Sequence, residues 1–129
     1  MLNYSWSEGY SVGDPILDGH HKSLLNMFNE ISALLTKDKA TDELLELVTK
    51  LKEYTEHHFS AEEVRMEASN YPDLASHREK HKVFVNQIES SYNRISDNPD
   101  EVTEDLFIFL SQWLITHIQK DDQNYKGKI

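Results

Sequence analysis

Apolar side chains recur at spacings of three and four along four stretches of this chain, the period of an amphipathic helix rather than a strand. In the first, Leu24, Leu25, Phe28, Ile31 and Leu35 form the apolar face behind Asp18, whose side chain can cap free backbone N–H groups. That helix is expected over about 19–37, ending in the Thr36 to Lys39 segment. A second, over about 41–69, places Asp42 and Glu43 where the helix dipole favours acids. It turns Leu44, Leu47, Val48 and Leu51 inward before Tyr71-Pro72 stops it. A third, over about 74–96, carries Phe84, Val85, Ile88 and Ile95 and ends at Asp97-Asn98-Pro99-Asp100. The fourth, over about 101–122, carries Leu106, Phe109, Leu110, Trp113 and Leu114. Short connections make sequential helices neighbours, so the pattern predicts an all-α, antiparallel up-down-up-down four-helix bundle. Residues 1–17 hold Tyr4, Trp6, Tyr10, Val12 and Ile16 among turn formers, and read as an N-terminal arm packed over the bundle.

Composition narrows the chemistry. A chain of 129 residues suits one domain around one core. Its 13 lysines and arginines against 23 acids give a net charge of -10, which repels phosphate backbones and anionic lipid, so neither nucleic acid nor membrane is an expected partner. There is no cysteine, so any metal here must be held by nitrogen and oxygen. The first residues show no basic segment followed by an apolar one, and no run of 18 apolar residues occurs anywhere. A soluble, cytoplasmic, monomeric protein is the expectation.

The seven histidines are the anomaly. Residues three, four and seven apart share a helix face, and by that rule the histidines fall on the apolar stripes. His58 continues the series Leu44, Leu51, with Glu62 one turn on; His77 and His81 lead into Phe84 and Ile88. On the fourth helix Leu106, Leu110 and Trp113 lead to His117, with Asp121 or Asp122 one turn beyond, and on the first His21 precedes Leu24 and Leu25. One histidine on an apolar face is ordinarily a hydrogen-bonded core residue, and one i, i+4 pair is weak evidence of anything. Five histidines and two acids on the inner faces of four helices are a different matter. Burying such groups uncompensated would consume most of a domain's roughly 5–15 kcal/mol of stability. Metal ions compensate, because neutral imidazole and carboxylate are good ligands, and seven groups suit two ions rather than one. The imidazole-rich set favours iron over magnesium or calcium, while the ligands alone also suit zinc, manganese and cobalt. His20 and His57 sit beside better-placed histidines and read as outer or solvent residues.

Taken together the motifs resemble the hemerythrin family, in particular its small single-domain bacterial members. The matching segments are Asp18-Gly-His-His21-Lys22, His58-Phe-Ser-Ala-Glu62-Glu63, Tyr71-Pro72 before His77 and His81, and Trp113-Leu-Ile-Thr-His117-Ile118 followed by Asp122, with Trp6 and Val12-Gly13 in the arm. That family contains established up-and-down bundles, so the topology is not independent of the resemblance. The resemblance implies a non-haem di-iron centre, oxo- or hydroxo-bridged, with His77, His81 and His117 on one iron and His21 and His58 on the other. Glu62 and Asp122 would bridge them, although a one-turn rule alone would have preferred Asp121. It further implies that dioxygen binds reversibly at the iron with fewer ligands, inside a water-poor pocket for which Leu24, Leu25, Phe28, Phe59, Trp113, Leu114 and Ile118 are candidate linings. The implied activity is oxygen binding rather than catalysis. Delivery to an oxygen-consuming enzyme, storage, sensing and detoxification would all draw on the same ligands.

Two other classes fit less well. Catalytic carboxylate di-iron bundles are marked by Glu-x-x-His, which does not occur in this sequence. A phosphotransfer bundle needs one exposed reactive histidine, which His20-His21-Lys22 suggests locally, but that leaves His58, Glu62, His77, His81 and His117 unexplained.

Overall fold

The computed structural model describes residues 5–34, 41–95, 97 and 99–129; Tyr4, Leu35 and the Thr36 to Lys39 segment lie outside these residues. Four α-helices make up the body: α1 Pro15–Leu34, α2 Thr41–Ala68, α3 Leu74–Ile95 and α4 Pro99–Thr116. Each packs on the next, and α1 closes the ring against α4. No strand occurs among the described residues, and none of their helices is long and apolar enough to cross a membrane.

The start of α1 differs from the expected position. The helix begins at Pro15 rather than near residue 19, and its cap is Asp14 rather than Asp18. Asp14 Oδ1 accepts the amides of Ile16 at 2.9 Å and Leu17 at 3.2 Å, while Pro15 stands at the first helical position, where its missing N–H is no loss. Asp18, one turn inside, instead binds the arm. Its carboxylate accepts the Val12 amide at 2.9 Å and the Ser11 hydroxyl at 2.6 Å. Glycine is required just before the helix, where Gly13 has φ +83°. The arm carries a short 3-10 turn, Glu8–Tyr10, and packs Trp6 and Tyr10 against the main core, with Lys22 Nζ 5.1 Å above the Trp6 ring.

Asn70 ends α2 in the left-handed region at φ 53°. The Tyr71 amide then reaches back to the Met66 carbonyl at 2.9 Å and the Asn70 amide to Glu67 at 3.1 Å, the paired closure that satisfies the last carbonyls of a helix. Tyr71 and Met66 pack together within one apolar cluster, so the same turn that ends the helix also anchors it.

The fourth helix does not continue as α to its expected end near residue 122. It changes to a π-helical turn over His117–Asp121 and then a 3-10 turn over Asp122–Tyr125.

Apolar burial falls into two clusters. The larger takes Leu24, Phe28, Leu51, Phe84, Leu106 and their neighbours from all four helices; the smaller gathers Val12, Leu17, Met66, Tyr71 and Tyr125. On every helix the buried histidines and acids lie in sequence between members of the two, as His21 lies between Leu17 and Leu24. A polar layer is thus enclosed by hydrocarbon at both ends.

Candidate metal centre

The structure brings His21, His58, Glu62, His77, His81, His117 and Asp122 into that layer, and all are buried. Glu62 and Asp122 divide it. Glu62 turns Oε2 toward His21 and His58, each 3.6 Å away at Nε2, and Oε1 toward His81 at 3.2 Å and His77 at 3.6 Å. Asp122 repeats the division, with Oδ2 2.9 Å from His21 and Oδ1 2.9 Å from His117 and 3.1 Å from His77. Between them, Glu62 Oε1 and Asp122 Oδ1 face His77, His81 and His117, while Glu62 Oε2 and Asp122 Oδ2 face His21 and His58.

These spacings match the edges of a coordination shell. Two ligands about 2.1 Å from one ion and at right angles to each other lie about 3 Å apart. The Nε2 atoms of His81 and His117 are 3.2 Å apart, and the carboxylate contacts reach down to 2.9 Å. Two groups of four ligand atoms lie close enough to hold an ion: Glu62, His77, His81, His117, and His21, His58, Glu62, Asp122. Nε2 of His21, His58 and His77, Oε1 of Glu62 and both oxygens of Asp122 are buried and, close as they lie to one another, make no hydrogen bond of good angle. Unpartnered polar atoms are costly in a dry interior, and here they converge on the same two points. The donor set therefore fits a pair of cations.

Electrostatics point the same way. Burial would push the Glu62 carboxyl up, but the surrounding imidazoles outweigh it and hold Glu62 well below the usual carboxylate range. Burial alone would strip the proton from His117 and His21; the carboxylates reverse this and raise them to about 10 and about 9. His58, where burial dominates, falls to about 3 and is uncharged at neutral pH. His77 is raised by the same two carboxylates, against burial, so the positive charge that balances the buried acids without metal falls to His21, His117 and His77.

The outer nitrogens of several rings are anchored. His81 Nδ1 lies 2.7 Å from Glu63, which Arg78 braces at 3.0 Å; His117 Nδ1 lies 3.1 Å from Asp121, which Lys80 braces at 2.9 Å. A carboxylate behind an imidazole fixes its tautomer and strengthens it as a donor. The Tyr125 hydroxyl donates to Glu62 Oε2 at 2.5 Å.

The residue range 12–129 matches the model of the hemerythrin HHE cation-binding domain. The chain belongs to the hemerythrin family. It is 30% identical to a bacteriohemerythrin of Pseudomonas aeruginosa, over 97% of this chain and 80% of that one. A bacteriohemerythrin of Clostridium acetobutylicum is 27% identical over 95% and 98%, and a hemerythrin-like protein of Naegleria gruberi 32% identical over 96% and 92%. In fold it superposes on a wild-type hemerythrin crystal structure with a TM-score of 0.84 at 22% identity, covering 98% of each chain.

Within this hemerythrin domain, Leu24, Leu25, Phe28, Phe59 and Ile118 are buried in the larger cluster, and Trp113 packs against it partly exposed; the Leu114 side chain lies outside the described ones. Phe59 stacks on His81 with centroids 3.8 Å apart and planes 4° from parallel, and Trp113 stacks on His117 at 4.5 Å and 19°. Both aromatics therefore fix the His81 and His117 rings directly as well as filling the core. Sequence reasoning missed Glu63, Asp121 and Tyr125 as supports of the site. Glu63 and Asp121 directly precede or follow an inward acid, a position easily read as solvated. Tyr125 lies beyond the last recognisable helical period.

Proposed function

We propose that the two sets hold a pair of iron ions and that the protein binds dioxygen reversibly, as a carrier or store rather than an enzyme. The observation that carries this reading is the division of Glu62 and Asp122: one oxygen of each faces the side of His77, His81 and His117, and the other faces the side of His21 and His58. His77, His81 and His117 would hold one iron and His21 and His58 the other, with both carboxylates bridging. When bound, a diferrous pair supplies two electrons and, on the ion with fewer protein ligands, a free coordination position. The chain's part is to keep that position dry and the ligands still. The apolar residues Leu24, Leu25, Phe28 and Ile118 exclude water, which opposes proton leakage from solvent. Phe59 and Trp113 hold the rings of His81 and His117 from moving off their ion.

The test is metal analysis combined with repeated cycles of reduction, aeration and deaeration, followed in the near-ultraviolet and visible. Two irons per chain and a band that appears with air and vanishes under vacuum through several cycles are expected. Absence of iron, or oxidation that consumes the reduced protein in one cycle, would overturn the carrier reading.

A further inference from the structure

We propose that His20 is the positioning residue of the two-histidine position, acting through His58; the inference rests on the two-metal reading above. His20 Nδ1 lies 2.9 Å from His58 Nδ1, with the two rings at 86°. Two imidazole nitrogens at that distance share one proton, since neither two lone pairs nor two N–H groups would approach so closely. For His58 Nε2 to offer its lone pair to a metal, the ring proton must sit on Nδ1. His58 is then the donor and His20 the acceptor, with the His20 proton on Nε2.

The rest of the geometry supports this role. His20 is partly exposed and packs against two rings, Tyr54 edge-on at 5.8 Å and 82° and His57 tilted at 5.1 Å and 57°. Its own orientation is therefore set by packing on α2. On the other side, His21 Nδ1 is buried without a partner. Among the described residues, His20 is thus the one polar anchor on the outer nitrogens of the His21 and His58 pair. Among the described residues the three-histidine set has anchors in Glu63 on His81 and Asp121 on His117, and both are anionic. A neutral acceptor fixes the tautomer but strengthens the ring as a donor less than an anionic one does, so the two positions differ in their support as well as in their ligand number.

The test compares His20→Leu, which removes the acceptor, with His20→Gln, whose carbonyl oxygen can accept the same proton. Iron-loaded wild type and variants are equilibrated against increasing concentrations of a ferrous chelator. In His20→Leu the first of the two ions is withdrawn at about 10–100-fold lower chelator, the loss usual for an outer-shell partner, while the second is held as before. His20→Gln restores most of the difference. Equal retention in His20→Leu and wild type, or equal loss in both variants, overturns the proposal. A second readout uses the zinc-loaded protein and needs no oxygen chemistry: nitrogen-15 NMR should show a slowly exchanging proton on His58 Nδ1 in wild type and His20→Gln. Its absence from wild type overturns the assigned donor even where both ions bind. A wild type that binds fewer than two ions overturns the two-metal reading and this inference with it, and is told apart by stoichiometry alone.

Discussion

Asp122 Oδ1 lies 2.9 Å from His117 Nε2, although the two residues are five positions apart in the chain. In an α-helix a separation of four keeps two side chains on one face, and five rotates them apart. The π turn over His117–Asp121 removes that rotation: the Asp122 amide bonds back to the His117 carbonyl, an i to i+5 closure. Asp122 thereby points inward, while Asp121, the nearer acid by α-helical spacing, grips the outer nitrogen of His117.

Exchanging the roles of these acids should therefore fail. Asp122→Asn removes a charge shared by both histidine sets and should leave fewer than two irons per chain. Asp121→Asn keeps every inward ligand and should bind both ions, with an affinity about 10–100-fold lower at the three-histidine position. Metal analysis after equilibrium dialysis separates the two. Equal iron content in both variants would contradict the assignment of inner and outer acid.

Glu62 carries the same division as Asp122 from the opposite side. Glu62→Ala and His77→Ala should both lose metal, and both should melt at lower temperature because the remaining ligands stay buried without a counterpart. His57→Ala is the control: its ring meets His20 but no member of either set, and both irons should remain. Unchanged iron content in His77→Ala would sink the ligand assignment.

How much of this was legible in the sequence depends on backbone regularity. Where the helices are regular, as at His58 and Glu62 or His77 and His81, a spacing of four was enough to put both side chains on one face. Where the backbone departs from α, spacing misled. The π turn made Asp121 the wrong inner acid by geometry alone, and only resemblance to the family pointed to Asp122. At the start of α1, Asp18 is a sound cap by residue type, but Asp14 with Pro15 is the pair the chain uses. The supports Glu63, Asp121 and Tyr125 depend on tertiary packing that no local pattern encodes.

Asp14 offers a stability test away from the metals. Burial would raise its carboxyl, but the Leu17 and Ile16 amides and Arg65, 2.8 Å away, outweigh burial and lower it. A carboxyl with a folded pKa below its unfolded value contributes stability that is present above about pH 4 and lost as the pH falls through the folded pKa. Asp14→Ala should lower stability by about 0.5–2 kcal/mol at neutral pH, the cost of a lost cap, and the difference from wild type should shrink in acid. Urea unfolding at several pH values measures it; a difference that grows as pH falls would have the wrong sign.

The metal-free protein should show the opposite dependence. His21 and His117 sit among buried carboxylates that raise them to about 9 and about 10, above the ordinary imidazole value of about 6.5. Groups raised in this way contribute stability that is fully present below the unfolded pKa and lost as pH rises through the folded one. The apo bundle should therefore weaken between about pH 6.5 and 10, because protons that balance Glu62 and Asp122 are removed. In the loaded protein the same nitrogens face a metal and carry no such proton, so its stability should be flatter across this window. Loading must also release protons, so metal affinity should rise with pH until those histidines are neutral. Thermal melts of loaded and stripped protein across this range, with proton release measured on reloading, test both statements. A stripped protein that is as stable at pH 9.5 as at pH 6.5 would show that the buried acids are balanced by something other than the buried histidines.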